Sequence, residues 1–490
     1  MIYPSLEEVK KIIKNDDYKV VPISMELYAD IKTPIETLKI LKGISSNVFI
    51  LESVDNSHRL GRYTFLGYDP KLELTCQNNK LKINTGTTIE ETVKHPNEYI
   101  RKLLKENKSP KIKGLPTFTG GLVGYFSYDY IKYSEESLNI DYEDEENFND
   151  VDLMLFDKLI VFDNYKQKII LIVNAKVNNL EVNYHKAEME LKSIADLIIN
   201  GKVKYYEKLK VKSDYKEYFS KNEYCNMVLK AKEYIKEGDI FQVVLSNRIE
   251  AEIEGSILDC YRVLRTTNPS PYMFYFYSND IEIAGASPET LVKLEDNKLY
   301  TFPLAGTRKR GRSEEEDYDI EKELLKDEKE LAEHNMLVDL GRNDIGKISK
   351  IGTVKVEKYM GIERFSHVMH IGSTVTGKIR GDKDSLDAID SILPAGTLSG
   401  APKIRACEII NELEGNKRGI YGGAIGYIDF TGNLDMCISI RLAFAKNGKV
   451  FIRSGAGIVA DSIPENEYEE CINKAKAVIN ALNIAKEGID

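Results

Sequence analysis

No stretch of this sequence approaches the roughly 18 consecutive apolar residues that a membrane-spanning helix needs, so no span is expected. The opening MIYPSLEEVKKIIKNDDYKV holds no apolar core long enough for a secretory signal, and a cytoplasmic location is expected. Positive charge is not in excess: 68 lysines and arginines face 78 aspartates and glutamates, a net −10. That balance argues against general affinity for nucleic acid or anionic membrane. Six cysteines (Cys76, Cys225, Cys260, Cys407, Cys437 and Cys471) include no C-x-x-C pair, which offers no zinc site and fits a reducing compartment. None sits in a small-residue nucleophile turn. An anion site must then be a local basic pocket, and FPLAGTRKRGR at 302–312 is a candidate.

What is present is the composition of a globular protein, 42% hydrophobic and 30% charged, long enough for one large core or several. VFILES (48–53) and GRYTFLGYDP (61–70) read as consecutive strands, and KENKSPKIKG (105–114) as a surface loop. KLIVFD (158–163) and KIILIVNA (168–175) read as a hairpin, followed by a helix over about 183–200. The polar stretch that follows marks a boundary, giving a region 1–200, a linker 201–219 and a second region 220–490. The second region opens with a capping box, Ser220 and Glu223, and a helix stopped by Gly238. IFQVVLSNR (240–248) reads as a strand. Further helices are expected over about 314–340, behind Ser313 and Glu316, and over about 466–485. Strands separated by turns outnumber helices, which predicts an α+β fold of large antiparallel sheets faced by helices. One internal echo pairs GGLVGYFSYD (120–129) with YGGAIGYIDF (421–430), as two packed sheets of similar design or by chance.

Several signals could carry chemistry. Gln242 is an amide among apolar neighbours, which needs partners and ordinarily pins a neighbouring loop. NPSPYMFYF (268–276) reads as a strand entry or as a wall for a small ligand. GASPE (285–289) presents Glu289 from a strand end, as a solvated carboxylate or a general acid. Glu333 and His334 lie late in the long helix, and Glu467 and Glu470 in the first turn of the last one. Two carboxylates from separate helices could share a hard cation such as Mg²⁺. His367 and His370, three apart on a strand, face opposite ways and do not share a metal. LPAGTLSGAPKIRACEII (393–410) and IRSGAGIVADSIPENEYEE (452–470) are Gly-rich turns able to hold anions, though neither has P-loop spacing. Together these features suggest a compact substrate with more than one carboxylate, and a divalent metal.

The motifs GASPET, PLAGTRKRGR, DEKELAEHNMLVDLGRNDIG, FSHVMHI, PAGTLSGAPKIRA, RGIYGGAIGY and SGAGIVADSIPENEYEECINKA, in this order, resemble the chorismate-utilising enzymes over nearly the whole chain. The resemblance is densest with the anthranilate synthase branch of that family. It implies a two-layer antiparallel β-sandwich with helices packed outside, residues 220–490 forming the chorismate-binding catalytic domain. It implies that Glu333 and Glu470 ligate Mg²⁺, with Glu467 close by. Gly306, Thr307, Tyr421, Arg441, Gly455, Ala456 and Gly457 would bind chorismate, and Glu289 would protonate the departing ring hydroxyl. His370 would assist loss of pyruvate, and Thr397 would line the site.

Two positions separate the branches. Water-using relatives carry lysine where this chain has Gln242, and aminodeoxychorismate synthases carry lysine at the position of Ala305. Both differences imply addition of ammonia and formation of anthranilate, the first committed step of tryptophan biosynthesis. The nearest rivals are an aminodeoxychorismate synthase component I and a catalytically silent tryptophan-sensing protein. LES (51–53) resembles the tryptophan-binding motif of feedback-inhibited members, with Ser53 and Glu52 joined by Pro271, Tyr272, Met273, Asn268 and Cys437. The ammonia source implied is a separate glutamine amidotransferase subunit, in a heterotetramer.

Overall fold

The computed structural model describes residues 2–53, 61–138, 140, 144–364 and 368–489. Among these, the strands form two large sheets, of 14 and 12 strands. The expected strand pair is Val48–Glu52 beside Tyr63–Tyr68, and the expected hairpin is Lys158–Asp163 with Lys168–Lys176, both antiparallel. The sheets face one another across an aromatic layer that includes Phe49, Phe65, Phe118, Tyr125, Phe156, Phe274 and Phe451. Their outer faces carry the helices. The long terminal helix Pro464–Glu487 buries Cys471, Ala475, Val478, Ala481, Leu482 and Ala485, at helical spacing, on one such face. The architecture is therefore the α+β sandwich with external helices. No described helix is long and apolar enough to cross a membrane.

Both sheets run continuously through the two halves of the chain. In the larger, Val48–Glu52 pairs with Tyr272–Tyr277; in the smaller, Gly121–Phe126 pairs with Ala424–Asp429. The echoed glycine motifs are those last two strands. They are neighbours in one sheet, not members of two sheets, and set Gly124 opposite Gly426. A Cβ on Gly124 would lie 2.0 Å from the Asp152 carbonyl oxygen, and one on Gly426 2.1 Å from that of Asp435. Close backbone approach on both sides requires glycine at each.

Local capping explains the helix limits. Ser220 Oγ accepts the Glu223 N–H and the Glu223 carboxylate accepts the Ser220 N–H at 2.8 Å, so the helix Lys221–Glu237 starts as expected. It stops at Gly238, whose φ of +88° suits glycine. The helix expected over 314–340 is instead two, Glu314–Leu324 and Glu328–Gly346. Asp327 between them accepts the N–H groups of Lys329 and Glu330, which restarts the second helix. The 201–219 stretch contributes two short strands, Lys210–Val211 and Lys216–Glu217, both paired with Gln242–Glu254.

A buried ionic cluster ties the active-site wall together. Glu414, at the end of the helix Lys403–Glu414, accepts bonds from Arg418 Nε at 2.9 Å and Arg453 at 2.6 Å. It also accepts the Ser246 N–H at 2.7 Å. Arg418 reaches the carbonyls of Leu398 at 2.6 Å and Val244 at 2.7 Å. Burial pushes the Glu414 carboxyl upward, but the two guanidiniums more than reverse this and hold it below its ordinary value. Removing one member leaves uncompensated buried charge. Glu414→Gln is expected to cost about 3–5 kcal/mol of stability, measured as a lowered urea midpoint; an unchanged midpoint would contradict this role.

Candidate active site

The strand Glu282–Ser287 ends in a turn that carries Glu289 towards the strand Thr290–Glu295 of the other sheet. The Glu289 peptide is clamped from both sides. Its N–H donates to Ser287 Oγ at 3.3 Å, and its carbonyl accepts the Ile438 N–H at 3.0 Å. Its carboxyl accepts the Thr397 hydroxyl at 3.1 Å. Water reaches this carboxyl from a cleft, yet protein surrounds it on every other side. That enclosure raises its pKa to about 7, against the opposing pull of Thr397, Arg441 and Lys474. A carboxyl titrating there can donate a proton near neutral pH.

The loop FPLAGTRKRGR forms the strand Leu304–Lys309, with a bulge at Gly306, whose φ is +62°. The bulge turns the Gly306 carbonyl to His370 Nδ1 at 3.0 Å, with Thr307 Oγ1 at 3.1 Å from the same nitrogen. Nδ1 therefore carries the proton that reaches Gly306. Burial lowers the His370 pKa, and Arg441 adds to that effect while the Gly306 bond opposes it. Ala305 is buried opposite Ile371. The anion pocket expected at 308–312 does not form. Arg308 pairs with Asp327 at 2.8 Å and Glu330 at 3.2 Å, and Arg310 with Asp317, so these cations fasten the loop to the two acidic helices. His367 lies outside the described residues.

Gly455, Ala456 and Gly457, expected in a turn, instead lie within the strand Lys449–Ile458, paired to Ser246, Leu245 and Val244. A Cβ on Gly457 would stand 2.6 Å from the Gln242 amide nitrogen, and one on Gly455 3.1 Å from the Tyr421 hydroxyl. Gln242 and Tyr421 thus lie directly against this glycine-rich stretch of strand, and at Gly455 a Cβ would also stand 2.5 Å from the Leu245 carbonyl oxygen. Arg441 holds a left-handed φ of +52°, an uncommon cost for a non-glycine residue. Arg441 is exposed to solvent, and its guanidinium makes no hydrogen bond or ion pair with any described residue. Its charge acts on both Glu289 and His370.

Glu333, Glu467 and Glu470 act on one another. Burial raises the pKa of Glu333, with Glu330 and Glu470 adding repulsion, and burial and Glu470 likewise raise Glu467. Lys474 is their common partner. Its ammonium bonds Glu470 at 2.7 Å and the Gly455 carbonyl at 3.1 Å, and it acts on Glu289, Glu333 and Glu467 as well. Sequence reasoning missed Lys474, although it stands four residues after Glu470 on one helical face, the spacing of an ion pair. Among the described residues no group of three or more histidines, cysteines or carboxylates could hold a metal by itself. The hydroxyls of the 393–410 turn are used internally, Thr397 on Glu289 and Ser399 on the Ala395 carbonyl at 2.8 Å.

A second cavity, of about 380 Å³, lies between the sheets where the two halves meet. Glu52, Ser53, Pro271, Tyr272, Met273 and Cys437 line it; Asn268 does not, and closes the preceding helix instead. The Ser53 hydroxyl is buried there and has no hydrogen-bond partner among the described residues. The Glu52 carboxylate is held by Tyr261 and Arg265, from the helix behind it.

The chain matches the family described as chorismate binding enzyme over residues 46–480. It is 49% identical to anthranilate synthase component 1 of Acetivibrio thermocellus, across 99% of this chain and 100% of that relative. With the protein of the same name from Aquifex aeolicus, identity is 44% over 99% and 98% of the two chains. The crystal structure of anthranilate synthase component I from Streptococcus pneumoniae superposes with a TM-score of 0.77 at 38% identity, covering 92% of this chain and 98% of that one. The menaquinone-specific isochorismate synthase of Escherichia coli shares the fold at a TM-score of 0.69 and 17% identity, over 97% and 98% of the chains.

Glu289 is expected to give a protonated-carboxyl infrared band that disappears as pH rises through about 7 and is absent from Glu289→Gln. A spectrum with no carboxyl titrating above the usual carboxylate range, about pH 4–5, would contradict the enclosure argument.

Proposed function

The chain belongs to the chorismate-binding enzymes, and we propose that it is the large subunit of an anthranilate synthase. The reaction proposed converts chorismate and ammonia to anthranilate, pyruvate and water. The observation that carries this choice is near-full-length identity to proteins named anthranilate synthase component 1, in a cleft with Gln242 and Ala305 in place of lysines. Ammonia is already a nucleophile and needs placement, not a base to create it.

The cleft offers a chemically consistent division of work. Arg441 lacks a protein partner and suits a substrate carboxylate. The backbone of Gly455–Gly457, the Tyr421 hydroxyl, and Gly306 and Thr307 are proposed to complete the substrate site. Glu289, protonated below about pH 7, can hand its proton to the departing ring hydroxyl. Because that role needs the acid form, the rate is expected to decline as pH rises through its pKa. His370 is oriented by Gly306 to take part in the later loss of pyruvate.

Mg²⁺ suits the donor set: Glu333 and Glu470, with Glu467 near, are hard oxygen ligands whose mutual repulsion a cation relieves. Bound there, Mg²⁺ would offset the charge of a substrate carboxylate. Burial raises the pKa of all six thiols, the opposite of what a glutaminase nucleophile needs. That supports a separate glutamine amidotransferase subunit as the ammonia source, and the relatives' designation as component 1 agrees. Free thiols suit the cytoplasm. We assign the second cavity to L-tryptophan as a feedback inhibitor, because the unpartnered Ser53 hydroxyl points to a polar ligand.

Purified chain given chorismate, Mg²⁺ and an ammonium salt is expected to produce anthranilate, followed by its fluorescence, and Glu470→Ala to lose at least about 100-fold of the Mg²⁺-dependent rate. Turnover absent from the wild type would reject the assignment, and full activity in Glu470→Ala would remove it from the metal shell. Ser53→Ala is expected to weaken tryptophan inhibition by about tenfold or more, the scale of one lost buried hydrogen bond; undiminished inhibition would place the sensor elsewhere.

A further inference from the structure

A small cavity beside Glu289 shares a wall with the cavity between the sheets. The Glu289 side of that wall is Glu289, Thr290, Thr397 and Ile438; the other side is Tyr272, Asp435 and Cys437. Tyr272 donates its proton to Asp435 at 2.8 Å, so the hydroxyl of Thr290, 2.9 Å away, donates to the Tyr272 oxygen. Thr290 is the residue after Glu289. Tyr272 is also the register partner of Ser287, whose Oγ accepts the Glu289 N–H, and Ile438, the donor to the Glu289 carbonyl, follows Cys437. Every backbone bond that fixes the Glu289 peptide therefore comes from a residue lining, or adjoining one that lines, the second cavity.

We infer that Tyr272 and Thr290 are positioning residues for Glu289, and that a ligand seated against Tyr272 silences the active site by disturbing the Tyr272–Thr290 hydrogen bond. The inference rests on the assignment of that cavity to tryptophan. Its physical content is a differential one: Tyr272 cannot serve the ligand and Thr290 with one geometry unless the ligand leaves the ring where it stands. A shift of the ring moves Thr290, and Glu289 follows through the chain, away from Thr397 and Arg441. No contact between inhibitor and substrate is required.

The chain contains no tryptophan, so free L-tryptophan is the only indole in the sample and its own emission reports binding. Binding and ammonium-dependent anthranilate formation are measured in the wild type, Thr290→Val and Thr290→Ser, each rate compared with that variant's own uninhibited rate. Thr290→Val is expected to bind tryptophan within about threefold of wild type, yet retain at least about fivefold more of its own rate at saturation. Thr290→Ser, which keeps the hydroxyl, is expected to restore wild-type inhibition. Inhibition as complete in Thr290→Val as in wild type overturns the relay, and so does loss of binding in that variant. A wild type that binds tryptophan but is not inhibited overturns it too. A wild type that binds no tryptophan overturns the cavity assignment and this inference with it.

Discussion

The active-site wall depends on one buried carboxylate. Glu414 receives two guanidiniums and a serine in the interior, and through them joins a helix end, the strands Gln242–Glu254 and Lys449–Ile458, and the turn around Leu398. Gln242, Gly455–Gly457 and Thr397 all stand on elements that this cluster fastens. An ionic cluster of this kind is a weak source of net stability compared with apolar packing. Its directional bonds do what apolar contacts cannot, which is to hold three backbones in one register. The mutual closeness of Gln242 and Gly457 follows from that register.

Around this scaffold the charges are deliberately unequal. Arg308 and Arg310 are neutralised by acidic partners, whereas Arg441, in a strained backbone conformation, is left without one. Enclosure raises Glu289 to about 7, where it can exchange a proton near neutrality, and lowers His370, which favours the neutral imidazole. Lys474 stands between the Gly455 carbonyl and the carboxylates of the last helix, and balances a group that would otherwise repel itself. The arrangement suits a substrate that brings negative charge of its own.

Elements whose signals are local were legible in the sequence. The Ser220 box, Gly238 and the hairpin at 158–176 rest on residues within four positions of one another. The break at Asp327 was missed because helical periodicity continues across it, and only the aspartate's bonds to Lys329 and Glu330 show the restart. The basic loop misled for a related reason: Arg308 and Arg310 look free in the sequence until the helices carrying Asp317, Asp327 and Glu330 fold back on them. The glycine echo could not reveal that its two strands are partners, since their pairing spans some three hundred residues. Motif resemblance named the candidate site residues, but their connections, above all Lys474 and the wall shared by Tyr272 and Thr290, belong to tertiary structure alone.

The central claim is that this cleft places ammonia on the ring carbon next to the one bearing the carboxylate and then releases pyruvate. The most direct measurement is nitrogen NMR of the products formed from chorismate and nitrogen-15-labelled ammonium. The account predicts label in anthranilate, with one pyruvate released per ring. Labelled 4-amino-4-deoxychorismate that keeps its enolpyruvyl group, or unlabelled isochorismate, would contradict it.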